Sequence, residues 1–166
     1  MHSIPDNDLR ANRLVFYEAD VAGLDRELDS FLELSKARCA MLIDREGHLV
    51  TRRGDLLKTS EDSISALVAG SFAATKEMAR LLGQDEFTVM SHQGSRESIQ
   101  LQLVGGRTLL TILFDERTNL GLVRFYAQEC SRRVGEILES ISSEDRDSGL
   151  SGDFGSEAEA ALDDLF

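Results

Sequence analysis

SIQLQLVGGRTLLTILFD, residues 98–115, decides what kind of domain this chain forms. Its first half alternates, Ile99, Leu101 and Leu103 against Gln100 and Gln102, the period of a strand with one apolar face and one that is wet or lies beneath a partner. Gly105 and Gly106 follow, and such a pair suits a hairpin turn because glycine takes a positive φ without steric cost. RTLLTILFD (107–115) carries too many consecutive apolar residues for an edge, so it is expected at the centre of a sheet. Strands joined by so short a turn run antiparallel.

The same reading extends outward. FTVMSHQ (87–93) is a third strand, while CAMLID (39–44), DREG (44–47) and HLVTRR (48–53) make a separate hairpin. Between the two groups, Ile64, Leu67, Val68, Phe72, Met78, Leu81 and Leu82 supply apolar helical spacing. Ser60 is placed to cap that helix, Glu61 and Asp62 suit its dipole, and Gly83 is its expected stop. Val21, Leu24, Leu28, Phe31 and Leu32 form an earlier helical stripe. Val123, Tyr126, Ala127, Cys130, Val134, Ile137, Leu138 and Ile141 form a later one, beginning near Asn119. The order helix, two strands, helix, three strands, helix predicts an α+β domain whose helices cover an antiparallel sheet.

The predicted organisation is a flexible N-terminus (1–12), one domain (13–141), a disordered linker SSEDRDSGLSGD (142–153) and a C-terminal segment (154–166). Net charge is −12, and residues 142–166 hold eight acidic side chains against Arg146 alone, so seven of those charges lie there. That acidity disfavours nucleic acid and anionic lipid, both of which need basic surface. No run of apolar residues is long enough to insert in a membrane, and the isolated Cys39 and Cys130 fit a reducing cytoplasm.

Signs of catalysis are missing. There is no phosphate loop and no GxSxG, and His2, His48 and His92 have no second His or Cys at metal-ligand spacing. No catalytic residue, metal or cofactor is expected, and a binding module is favoured over an enzyme. One helix face is unusual: Ala66, Gly70 and Ala73 succeed one another at steps of four and three, although a helical glycine costs about 1 kcal/mol against alanine. Such a row fits either tight packing on the chain's own sheet or the approach of a partner.

Three segments, RLVFYEADVAGLDREL (13–28), FDERTNLGLVR (114–124) and FGSEAEAALDDLF (154–166), together with SALVAGSFAA (65–74), carry a resemblance to the Roadblock family. Within it the chain is most similar to the bacterial MglB branch, regulators of the Ras-like polarity GTPase MglA. The resemblance implies the αββαβββα order and a homodimer in which two five-stranded sheets join edge to edge through Phe87, Thr88, Val89, Met90 and Ser91. It implies middle helices lying side by side and docking one MglA-type GTPase per two copies of this chain, through Ala66, Gly70, Ala73, Ala74 and Glu77. Glu77 departs from the small residue the family favours there, so a basic group is expected to oppose it or the contact ends before it. Activation in the family proceeds by realigning the GTPase's own groups, so Arg52, Arg53, Arg96, Arg107 and Arg117 are expected as solvated surface. A cytoplasmic, polar location and roles in cell polarity and gliding motility follow from the same resemblance.

The acidic end keeps apolar residues that a disordered tail normally sheds. Ala158, Ala161, Leu162, Leu165 and Phe166 share one face of a helix, and with Phe154 they suit helix-in-groove recognition. The family's C-terminal extension is associated with a second contact on the GTPase that favours exchange. Folding back on its own domain and simple solubilisation are the alternatives for the tail. For the whole chain the alternative is a Roadblock scaffold that assembles a complex without activating hydrolysis. A small-molecule sensor domain is a weaker third, since no cluster of polar residues converges in the middle region.

Overall fold

The computed structural model describes residues 18–56 and 60–163, and for 144–163 the backbone alone. The expected flexible segment 1–12 lies outside the described residues. Eight elements follow in the predicted order: α1 (Glu18–Ser35), β1 (Cys39–Asp44), β2 (Leu49–Gly54), α2 (Glu61–Leu81), β3 (Val89–Gln93), β4 (Ser98–Val104), β5 (Thr108–Phe114) and α3 (Leu120–Asp163). The strands form one five-stranded antiparallel sheet in the order β2-β1-β5-β4-β3. β5 is central, as its apolar run requires, and it pairs with β4 from Ser98↔Phe114 to Val104↔Thr108. Residues 105–107 close that hairpin between the paired Val104 and Thr108, and Gly105 (φ 63°) and Gly106 (φ 78°) supply its positive-φ positions without steric cost.

The two faces of the sheet bury different layers. Leu24, Leu28 and Phe31 of α1 and Val123, Ala127, Cys130, Val134 and Leu138 of α3 pack with Ala40, Leu42, Leu110, Ile112 and Phe114 on one face. On the other, Val68 and Phe72 of α2 pack on Cys39, Met41, Ile43, Leu101 and Leu109. β2 is secured to α1 by Thr51 Oγ1 donating to Asp25 and by Arg53 Nε and Nη2 donating to Asp29 at 2.8 and 2.9 Å. Gly54, at the end of β2, is exposed yet has φ 95°, and a Cβ there would lie 2.2 Å from the Arg38 carbonyl oxygen.

Several expectations are corrected. The Ser60 cap does not form: its backbone is already helical (φ −98°, ψ −11°), whereas a capping side chain needs an extended residue, and Glu61 is drawn to Arg52. Gln100, assigned to a wet or partner-covered face, is fully buried, because α3 covers that side of β4. Leu67, Met78, Leu81 and Leu82, which belong to the apolar helical spacing of α2, do not face the sheet and are exposed by 72, 52, 74 and 71%. Ile141 of α3 is buried, and the backbone runs helical through 142–153, the stretch read from composition as a disordered linker. That stretch contains no proline, so each residue retains the N–H that a helix needs.

Candidate interaction surface

α2 sits on the sheet through a narrow stripe, Ser65, Val68, Ala69, Phe72 and Ala79. On the opposite side Ala66, Gly70, Ala73, Ala74 and Glu77 are all exposed. Among the described residues a Cβ built on Gly70 meets no atom within 4 Å, so packing on the chain's own sheet does not explain this glycine. Ala66 is different: the β1–β2 turn approaches it, and a Cβ on Gly47 would lie 3.3 Å from the Ala66 Cα. That approach accounts for the glycine at 47, and Gly70 has no such neighbour among the described residues. Glu77 accepts from Arg80 Nε of the same helix at 2.9 Å.

At 100° per residue, Leu67, Gly70, Ala74, Met78 and Leu81 fall within one exposed sector of α2. The helix is thus apolar on two sides, one buried and one facing out. A contiguous apolar sector left in solvent marks an interaction site, where single scattered apolar residues would not. The signal was present in the spacing; what the spacing could not say is which of the two sides the sheet covers.

β3 forms the sheet edge opposite β2. Val89, Ser91 and Gln93 stand opposite Gln102, Gln100 and Ser98 of β4. The N–H of Leu103 donates to the carbonyl of Thr88 at 2.8 Å, which puts the Thr88 backbone on the β4 side. By antiparallel alternation the backbone groups of Val89, Ser91 and Gln93 then point away from the sheet. Among the described residues no strand pairs with that side. Of the five residues expected at this edge, Val89, Met90 and Ser91 lie in the strand, and Phe87 and Thr88 precede it. Met90 is half-buried beside Ile99 and Leu103 on the α2 face, so apolar surface runs from the helix toward the edge. On the other face Ser91 Oγ donates to Gln100 Oε1 and accepts from Arg124 Nη2 at 3.3 Å.

The chemistry of the remaining polar groups is structural. Burial pushes the Cys39 thiol up to about 11 and the Cys130 thiol to about 12, which keeps both protonated and unreactive. Arg117 donates to Asp115 and holds its carboxyl below the usual range. Arg96 and Arg107 are exposed, as expected. Arg52 departs from that expectation, since its ion pair with Glu61 and a 2.8 Å bond to the Leu56 carbonyl withdraw it from solvent. Asp44, Glu46 and His48 bring one potential ligand atom each within 4.8 Å of one another, a grouping that His and Cys spacing alone does not reveal. Asp44 Oδ1 is already committed to the turn, accepting from the N–H groups of Glu46 and His48 at 2.9 Å each. Leu165 and Phe166 lie outside the described residues, as do the side chains of Phe154, Ala158, Ala161 and Leu162.

Comparison with known proteins decides the family. The Roadblock/LC7 domain matches residues 24–114, from α1 to the end of β5. The chain belongs to the Roadblock/LC7 family. Solved structures refine this. The gliding protein MglB from Thermus thermophilus is 33% identical over 76% of this chain and 96% of its own, with a TM-score of 0.72. MglB from Myxococcus xanthus is 32% identical with the same coverage and a TM-score of 0.72. An MglB with a tetrameric arrangement is 32% identical, covers 76% and 96%, and superposes with a TM-score of 0.73. No curated protein sequence matches the chain. The Roadblock/LC7 match stops before α3. Among the described residues no helix is long and apolar enough to cross a membrane.

Proposed function

We propose that this chain is a homodimeric regulator of an MglA-type Ras-like GTPase, working in the cytoplasm at the cell pole and without catalytic groups of its own. The observation that carries this reading is the outer face of α2, where Gly70 has free space around it and Leu67, Met78 and Leu81 stand exposed. The MglB-like sequence over most of the chain supports an MglA-type GTPase as the partner. Two copies pair through the outward backbone groups of Val89, Ser91 and Gln93, extending the sheet and setting their α2 helices side by side. An unpaired edge is otherwise a liability. One GTPase then docks on Ala66, Gly70, Ala73, Ala74 and Glu77 of the paired helices.

Activation follows from differential affinity. A dimer that binds the hydrolysis-competent arrangement of the GTPase better than the relaxed one shifts the equilibrium by the ratio of those affinities. No arginine is assigned to insertion, and this chain is not an enzyme in its own right. The acidic C-terminal segment, Phe154 to Phe166, makes a second contact with the GTPase that promotes exchange, and tethering raises its effective concentration there.

The test is single-turnover GTP hydrolysis by the Ras-like GTPase of the same organism while this protein is titrated in. The full chain is compared with one ending at Ser142. Acceleration by both supports activation by the folded dimer and leaves exchange to the tail. Binding without acceleration supports the scaffold reading instead.

A further inference from the structure

The β1–β2 turn touches two elements remote from it in sequence. Arg45 lays its guanidinium over the Phe72 ring, 5.6 Å from the centroid, and its Nη2 donates to Glu86 Oε1 at 2.6 Å. Its backbone N–H donates to the Arg107 carbonyl at 3.2 Å, which anchors the turn to the β4–β5 hairpin. The two charged side chains are largely withdrawn from water, 33% exposed for Arg45 and 21% for Glu86. Phe72 lies on the buried stripe of α2, and Glu86 lies in the irregular segment that leads from α2 into β3. A single side chain thus ties the outward-facing helix to the approach of the free edge.

That tie matters for any second copy that must meet α2 and β3 together. An isologous interface repeats each contact twice, so an error in the spacing between helix and strand is also repeated. α2 rests on a narrow apolar stripe, and the segment 83–88 is bonded to α2 at its start, where the Gly83 and Gln84 N–H groups donate to the Arg80 and Ala79 carbonyls, and to β4 at its end through the Thr88 carbonyl. Between those ends Glu86 is held through Arg45. A charge-assisted hydrogen bond shielded from solvent, combined with a cation over an aromatic face, is a directional restraint of the strength required.

The geometry points to Arg45 as a positioning residue for self-association, holding β3 at a set distance from α2 through Glu86 and Phe72. This inference rests on the reading of β3 as the interface between copies.

Sedimentation equilibrium of the full chain is the test, applied to wild type, Arg45→Gln, Glu86→Gln, the double variant and Val89→Pro. Val89→Pro removes an outward N–H and leaves the β4 ladder intact. Each single Gln variant is expected to weaken the dimer roughly tenfold, with the double variant no weaker than the worse single. Arg45→Lys, which keeps the charge toward Glu86, recovers part of the loss. Unfolding midpoints measured on dilute, monomeric samples stay within a few degrees of wild type, which a merely structural role would not allow. Additive losses, or undiminished association in both Gln variants while Val89→Pro dissociates, overturn the role of Arg45. A monomeric wild type, or a Val89→Pro variant that associates like wild type, overturns the edge reading itself and the inference with it.

Discussion

The two faces of the sheet are covered unequally. α1 and α3 close one face with long apolar side chains, and Leu24, Leu28, Leu110, Ile112, Val123 and Val134 there are fully buried. α2 alone covers the other and turns Leu67, Met78 and Leu81 outward. A closed face measures what holds the domain together. A face left apolar on the outside measures what the domain is held against.

The sharpest way to test that division is to cut into each side. Leu110→Ala opens a cavity in the closed face and is expected to cost about 2–5 kcal/mol of stability, read from urea unfolding. Leu67→Ser with Leu81→Ser, on the open side, is expected to change monomer stability by no more than about 0.5 kcal/mol per site. Its effect is expected in self-association, followed by light scattering after size exclusion. If the pair unfolds the domain as Leu110→Ala does, the outer stripe belongs to the core and the distinction fails. Ala73→Arg is the corresponding probe of docking: loss of GTPase binding with the dimer intact is expected, whereas an unfolded or dissociated variant would return this helix to internal packing.

Legibility followed the range of the interactions. The succession of elements and the central position of β5 could be read because alternation, Gly105–Gly106 and the run ending at Phe114 are local signals. The open side of α2 could not, since Leu67 and Leu81 sit at helical spacing whether they face a sheet or solvent. Gln100 misled for the same reason in reverse: alternation identifies two faces but does not report that a helix starting at Leu120 covers the polar one. Residues 142–153 read as linker from composition, which is silent about a helix continuing from a well-packed start at Leu120. The row Ala66, Gly70, Ala73 was visible, but only the fold brings Gly47 against Ala66 and leaves Gly70 open among the described residues.

Two smaller effects sharpen the comparison on the closed side. The thiol of Cys130 is raised from 9.0 to about 12, so its protonated form is favoured in the folded state. Its contribution is full below pH 9 and is lost as pH rises through about 12. Wild type is therefore expected to lose stability across that same interval more steeply than Cys130→Ala, measured by denaturant midpoints. Lys36, which ends α1, has φ 62°, a conformation that favours glycine. Lys36→Gly is expected to raise stability by about 0.5–1 kcal/mol, visible as a small increase in unfolding midpoint.

Gly54 has a consequence for how sequence variation in this chain should be read. By exposure alone it ranks with the dispensable surface, yet any side chain there collides with the Arg38 carbonyl, itself the acceptor of the Asp55 N–H at 2.8 Å. A saturation library scored for folded protein would show this rim position almost empty of survivors, between exposed neighbours that accept most replacements. Solvent accessibility, used as a proxy for mutational freedom, would point a protein engineer to the wrong residue.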